Sequence, residues 1–184
     1  TRTVLRIAAS DVRISLGGGR VALSEGTALM LLTSTATGSS LAGRFTGTLA
    51  LDVPGVSLAG SLAVELNTGT AAVDQSFTLG GETLTLVLPE GPYVRVAGAG
   101  VTLTILGQSV TTDVVVTRVQ APDTLAVTLT LQLRNTRLTL GGTPGAPLLT
   151  VAQPVSGAGS LAQFVLTNTG IYGAITVGVS LSVP

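Results

Sequence analysis

Strict alternation of apolar and polar side chains constrains this chain more than any other feature. Across residues 41–53, Leu41, Phe45, Leu49, Leu51 and Val53 share one parity, and Arg44, Thr46, Thr48 and Asp52 take the other. Across 124–134, Leu125, Val127, Leu129, Leu131 and Leu133 alternate with Thr128, Thr130 and Gln132. Leu62, Val64 and Leu66, then Leu84, Leu86 and Leu88, repeat the rule. Successive side chains of a β-strand point to opposite faces, so a period of two predicts strands with an inward apolar face and an outward polar one. Thr dominates the outward positions, and its branched Cβ suits a pleated surface. Residues 27–32 fit a single helical turn, but nothing continues it.

Turn chemistry separates these runs. Gly17-Gly18-Gly19, Pro54-Gly55, Asn67-Thr68-Gly69, Gly80-Gly81, Pro89 to Pro92, Gly107, Pro122-Asp123, Gly141-Gly142 and Pro144-Gly145 follow one another at short intervals. Glycine supplies the positive φ that tight hairpins need. The expected fold is all-β and mainly antiparallel, without significant helix: a β-meander or sandwich, or an irregular β-roll.

An internal repeat gives the chain its organisation. Residues 12–18 match 136–142 at an offset of 124 (142 − 18), and Asp11 then falls on Asn135. Residues 41–54 match 171–184 at an offset of 130 (184 − 54), which aligns Gly43, Thr46, Leu51, Val53 and Pro54 with Gly173, Thr176, Leu181, Val183 and Pro184. The six-residue difference is expected near 143–147. Residues 1–54 then read as the C-terminal half of a preceding module, and 55–184 as one complete module of about 130 residues, a slice of a longer array.

The residue inventory removes most chemistries. The chain has no His, no Cys and no Lys, and its nine cations, all Arg, balance nine carboxylates. A serine nucleophile would lack an imidazole or lysine base. A phosphate-binding loop would lack its lysine, and disulfides and thiolate metal sites are excluded. Zero net charge without a basic cluster leaves no electrostatic footprint for nucleic acid. No apolar run is long enough for a membrane helix, and five aromatics are too few for the two girdles of a membrane barrel.

The run Val64-Glu65-Leu66-Asn67-Thr68-Gly69-Thr70-Ala71-Ala72-Val73-Asp74, then Gly80-Gly81 and Gly91-Pro92-Tyr93-Val94-Arg95-Val96-Ala97-Gly98, resembles repeats of giant bacterial secreted and cell-surface, adhesin-like proteins. Ser15-Leu16-Gly17-Gly18-Gly19 is similar too. The resemblance implies an extracellular or cell-surface β-rich spacer, adhesive module or fibre unit. The calcium-binding Gly-Gly-x-Gly-x-Asp pattern of some such proteins is missing from this chain.

The remaining candidate residues are few. Glu65, Asp74, Glu82, Glu90 and Asp113 are the carboxylates from which a glycosidase pair would be drawn. Asp52, Asp74 and Asp123 are too scattered for a calcium loop. Thr-x-Thr pairs, such as Thr102/Thr104 and Thr128/Thr130, would stand about 7 Å apart on one face and suit an ice-binding surface. Tyr93 and Tyr172 are the only phenols, and with Arg95 they are the candidate ligand contacts, for instance to surface glycan. The expectation is a non-enzymatic structural or adhesive repeat module, with no cofactor, metal or catalytic residue. Its partners would be further copies or adjacent modules, with no nucleic acid and no membrane insertion. A self-assembling filament or surface-layer subunit, and a glycan- or ice-binding module, are the alternatives.

Overall fold

The computed structural model describes residues 3–36, 38–121, 126–141, 147–152, 162–167, 169–176 and 178–181. Thirteen strands form within them: β1 (Thr3–Leu16), β2 (Val21–Thr35), β3 (Gly38–Val53), β4 (Val56–Asn67), β5 (Val73–Leu79), β6 (Glu82–Leu88), β7 (Tyr93–Ile105), β8 (Gln108–Gln120), β9 (Val127–Leu140), β10 (Leu149–Ala152), β11 (Ala162–Thr167), β12 (Gly170–Ile175) and β13 (Gly178–Leu181). No helix occurs among the described residues. The fold is an antiparallel meander, as the alternation predicts. One 11-stranded sheet runs β1-β2-β3-β4-β7-β8-β9-β10-β13, with β11 and β12 continuing from the other half of β9, and a separate hairpin pairs β5 with β6.

The turns fall where glycine chemistry places them. Pro54-Gly55 closes β3 onto β4 through Val53 opposite Val56, Gly80-Gly81 closes β5 onto β6, and Gly17 and Gly107 sit at positive φ. The turn signals at Pro122-Asp123, Gly142 and Pro144-Gly145 lie outside the described residues.

Cross-strand register sorts the side chains into two faces. One rung reads Leu29, Arg44, Glu65, Arg95, Thr117, Thr130, Val165 and Tyr172. We call this face A. The next rung reads Ile7, Met30, Gly43, Leu66, Val94, Arg118, Leu129, Leu166 and Ile171, on the opposite face B. The expected parity therefore holds, but its burial is different from a closed sandwich. The buried cluster lies on face A, where the β5–β6 hairpin lays Phe77, Leu86 and Leu88 over Leu29, Leu31 and Ala42. On face B, Phe45, Val64, Val96, Val116 and Leu131 are only half-buried, and no buried cluster forms there among the described residues.

Residues 27–32 belong to β2, not to a helical turn. The sequence Ala28-Leu29-Met30-Leu31-Leu32 is apolar on both parities because the hairpin covers Leu29 and Leu31 on face A, while Ala28, Met30 and Leu32 continue the apolar rows of face B. Leu86 is fully buried and Leu88 nearly so, because the hairpin must turn one apolar parity onto the sheet to be stable at all.

A row of β-bulges crosses the sheet. Asp11, Glu25, Gly100 and Asn135 take left-handed φ values of 54°, 54°, 58° and 51°, each beside a register shift. A bulge inserts one unpaired residue and sharpens the local twist. Asn and Asp tolerate that conformation better than other side chains.

Candidate functional site

The hairpin and the sheet meet in a polar cluster. Glu65 lies at the centre of face A with its side chain 12% exposed. Arg44 Nε donates to its Oε1 at 2.9 Å, and Arg95 Nη1 and the Tyr93 hydroxyl approach its Oε2 at 3.4 Å. Arg44 also reaches the Val87 carbonyl of the hairpin, and Arg6 donates to Gln75 of β5. The cations thus bind the hairpin to the sheet. Burial and then the Glu65 charge push the Tyr93 hydroxyl above its ordinary value, against the lowering effect of Arg95.

Asn67 anchors both connections of the hairpin. Its amide nitrogen donates to Ala71 O at 2.8 Å and to Pro89 O at 2.7 Å. Its side-chain oxygen accepts the Gly69 N–H at 2.9 Å. Gly91 packs so closely that a Cβ would lie 2.0 Å from the Asn67 carbonyl oxygen, so only glycine fits.

Asp113 organises the bulge row. Its Oδ1 accepts the Gly100 N–H at 2.6 Å and its Oδ2 accepts Asn135 Nδ2 at 2.5 Å. These donors, the Gly100 amide first, hold its carboxyl below the ordinary 3.8. A depressed folded value stabilises the fold above the unfolded value, and that stabilisation is lost as pH falls through the folded one. Asp113→Asn is therefore expected to flatten the loss of thermal stability below about pH 4, measured by melting curves at neutral and acid pH.

A shallow trough of about 500 Å³ opens on face A beyond the hairpin, lined by Thr46, Ser61, Ala63, Arg95, Ala97 and Asp113 among others. Its floor is small side chains, and of its two carboxylates Glu25 sits on a bulge while Asp113 accepts hydrogen bonds from the bulge residues Gly100 and Asn135. Glu65 and Asp113 are each held by donors. No group of three or more carboxylates that would hold a metal occurs among the described residues, and Asp123 lies outside them.

No protein-family model, curated protein or solved structure matches this chain.

The three candidate contacts do not converge. Tyr93 and Arg95 share face A, as their spacing requires, but both turn toward Glu65. Tyr172 shares the Arg95 rung four strands away, roughly 19 Å at the usual strand spacing, and is 60% exposed. The alternation identifies the apolar face but not that, among the described residues, no layer covers it. The sequence marks Asn67 as a turn residue, and an Asn two residues before Gly is the signal for the side-chain-to-backbone bond it makes.

The larger surface features are face B and the sheet edges. Face B carries apolar side chains on every strand, and Arg118, bonded to Gln120, is its one charged rung residue among the described residues. A sheet of this width and strand length spans roughly 1,500 Å² per face. Among the described residues, β1 lies at one edge, paired with β2, and β12 and β13 form the other.

Proposed function

We propose that the chain is a non-enzymatic structural and adhesive module of a long extracellular or cell-surface protein, acting through sheet extension and face stacking. The observation that carries this reading is the apolar face B, with Arg118 its one charged rung residue among the described residues, on a sheet whose two edges are unpaired among the described strands. Monomeric soluble proteins rarely leave contiguous apolar patches beyond a few hundred Å². A stable interface needs only about 800 Å² per partner, about half of what face B offers. Long open edges, normally an aggregation hazard, become joining surfaces when neighbours are similar sheets. A filament or surface-layer subunit uses the same geometry, with separate chains as the neighbours.

Sedimentation velocity and electron microscopy over a hundredfold concentration range test this. The chain is expected to form dimers or larger ordered sheets. Val116→Asp, which places a charge on face B, is expected to abolish them, while Thr117→Asp on face A leaves them intact. A wild-type chain that stays monomeric throughout, or equal effects of the two substitutions, would contradict the reading.

A further inference from the structure

We infer that β1 is built to pair with β8 of a second copy of this chain, in the register that β9 holds within one copy. The inference rests on the structural-module reading and names the joint. Its basis is a correspondence of pairing between the two ends of the sheet. Leu129 faces Leu166 as Leu5 faces Leu32, Leu133 faces Ala162 as Ala9 faces Ala28, and Leu140 faces Leu149 as Leu16 faces Val21. One strand further out, Leu166 faces Ile171 as Leu32 faces Leu41, and Leu149 faces Leu181 as Val21 faces Leu51. β9 thus corresponds to β1 at an offset of 124 (129 − 5), and β12 with β13 corresponds to β3 at 130 (171 − 41; 181 − 51). The bulge matches too, with Asp11 and Asn135 both left-handed. β11 and β10 correspond to β2 at 134 (166 − 32) and 128 (149 − 21), so the paired partners recur although the middle strand's counterpart carries six additional residues between Leu149 and Ala162.

The outer edge of β1 is therefore equivalent to the edge of β9 that β8 already occupies. In the joint, β8 of one copy takes β1 of the next, and β9 with the strands beyond it is displaced. The two copies of the unit differ in what their face A receives. Leu29, Leu31 and Ala42, which receive the hairpin, correspond to Gln163, Val165 and Tyr172. The interface is head-to-tail and joins unlike surfaces, so each copy has a joining strand for one partner on either side. One rung differs: Asn135 donates to Asp113, whereas Asp11 in its place presents a carboxylate.

The chain has no cysteine, which permits a register test. Val116 faces Leu131, whose counterpart is Ile7, and Val115 faces Gln132, whose counterpart is Ala8. Full-length Ile7→Cys is mixed with Val116→Cys, and Ala8→Cys with Val115→Cys, under mild oxidation. Adjacent rungs alternate between close and wide pairs, so a mixed disulfide is expected in at least one mixture. Thr3→Cys with Val116→Cys, four residues out of register, is expected to give none, and adding Asp11→Asn to the β1 partner raises the in-register yield several-fold. Equal yields in and out of register, no mixed disulfide, or only a Val116-to-Val116 homodisulfide would overturn the joint. The last result would leave the stacking of face B standing.

Discussion

Truncating Leu86 to alanine is expected to destabilise the fold by roughly 2–5 kcal/mol, the range for removing a fully buried leucine. The side chain is 0% exposed and sits between Phe77, Leu88 and the sheet residues Leu29, Leu31 and Ala42. Few other side chains in the described structure are as buried, so this single cluster carries a large share of the tertiary packing. A typical domain is stable by only about 5–15 kcal/mol. Val87, one residue along and 56% exposed, points the other way, and Val87→Ala is expected to shift stability by about 0.5 kcal/mol or less. Urea unfolding followed by circular dichroism separates the two. Hydrogen exchange adds the spatial test, since Leu86→Ala is expected to release protection in β5 and β6 before β7 to β9.

The reason Leu86 was findable in the sequence also explains what was not. Leu84, Leu86 and Leu88 alternate with Thr83, Thr85 and Val87, and that period alone identifies a strand with one apolar face. The turn residues fix where strands reverse, because Gly17, Gly55, Gly80 and Gly107 occupy backbone conformations that other residues resist. Alternation does not say which layer meets which face. The hairpin packs on face A, beside Arg44 and Glu65, because there β2 carries Leu29 and Leu31 on the parity that elsewhere bears threonine. The signal was the unbroken apolar run in 28–32, which reads equally well as a short helical turn until its length is weighed. The bulge row was legible only as the alignment of Asp11 with Asn135, since a left-handed residue inside a strand leaves no mark on periodicity except a change of parity. That change falls between Leu133 and Leu138. The site residues were harder still. Tyr93 and Arg95 stand out by rarity, but their partner Glu65 lies 28 and 30 residues away in sequence, and only strand register brings them together.

Replacing Asn67 with alanine is expected to cost roughly 2–4 kcal/mol, although it removes no apolar contact of consequence. The residue is 1% exposed, and its loss leaves Ala71 O, Pro89 O and Gly69 N–H without their partner. An unpaired buried polar group costs about 1–3 kcal/mol, more than a made hydrogen bond contributes; partial access of water to the loops keeps the sum below three full penalties. Asn67→Asp is expected to be worse at neutral pH, because a carboxylate facing two carbonyl oxygens repels them and is buried without a cation. Acid should recover part of that loss, since protonation restores one donor. By contrast, breaking the Asp11–Arg13 pair, whose side chains are 67% and 71% exposed, is expected to change little, as exposed pairs usually do. Combining Asn67→Ala with Leu86→Ala distinguishes a local loop effect from release of the hairpin. If Asn67 holds the hairpin against the sheet, the two losses overlap and the double variant is less destabilised than the sum; independent sites would add within about 0.5 kcal/mol. The same urea titrations supply all four corners of the cycle.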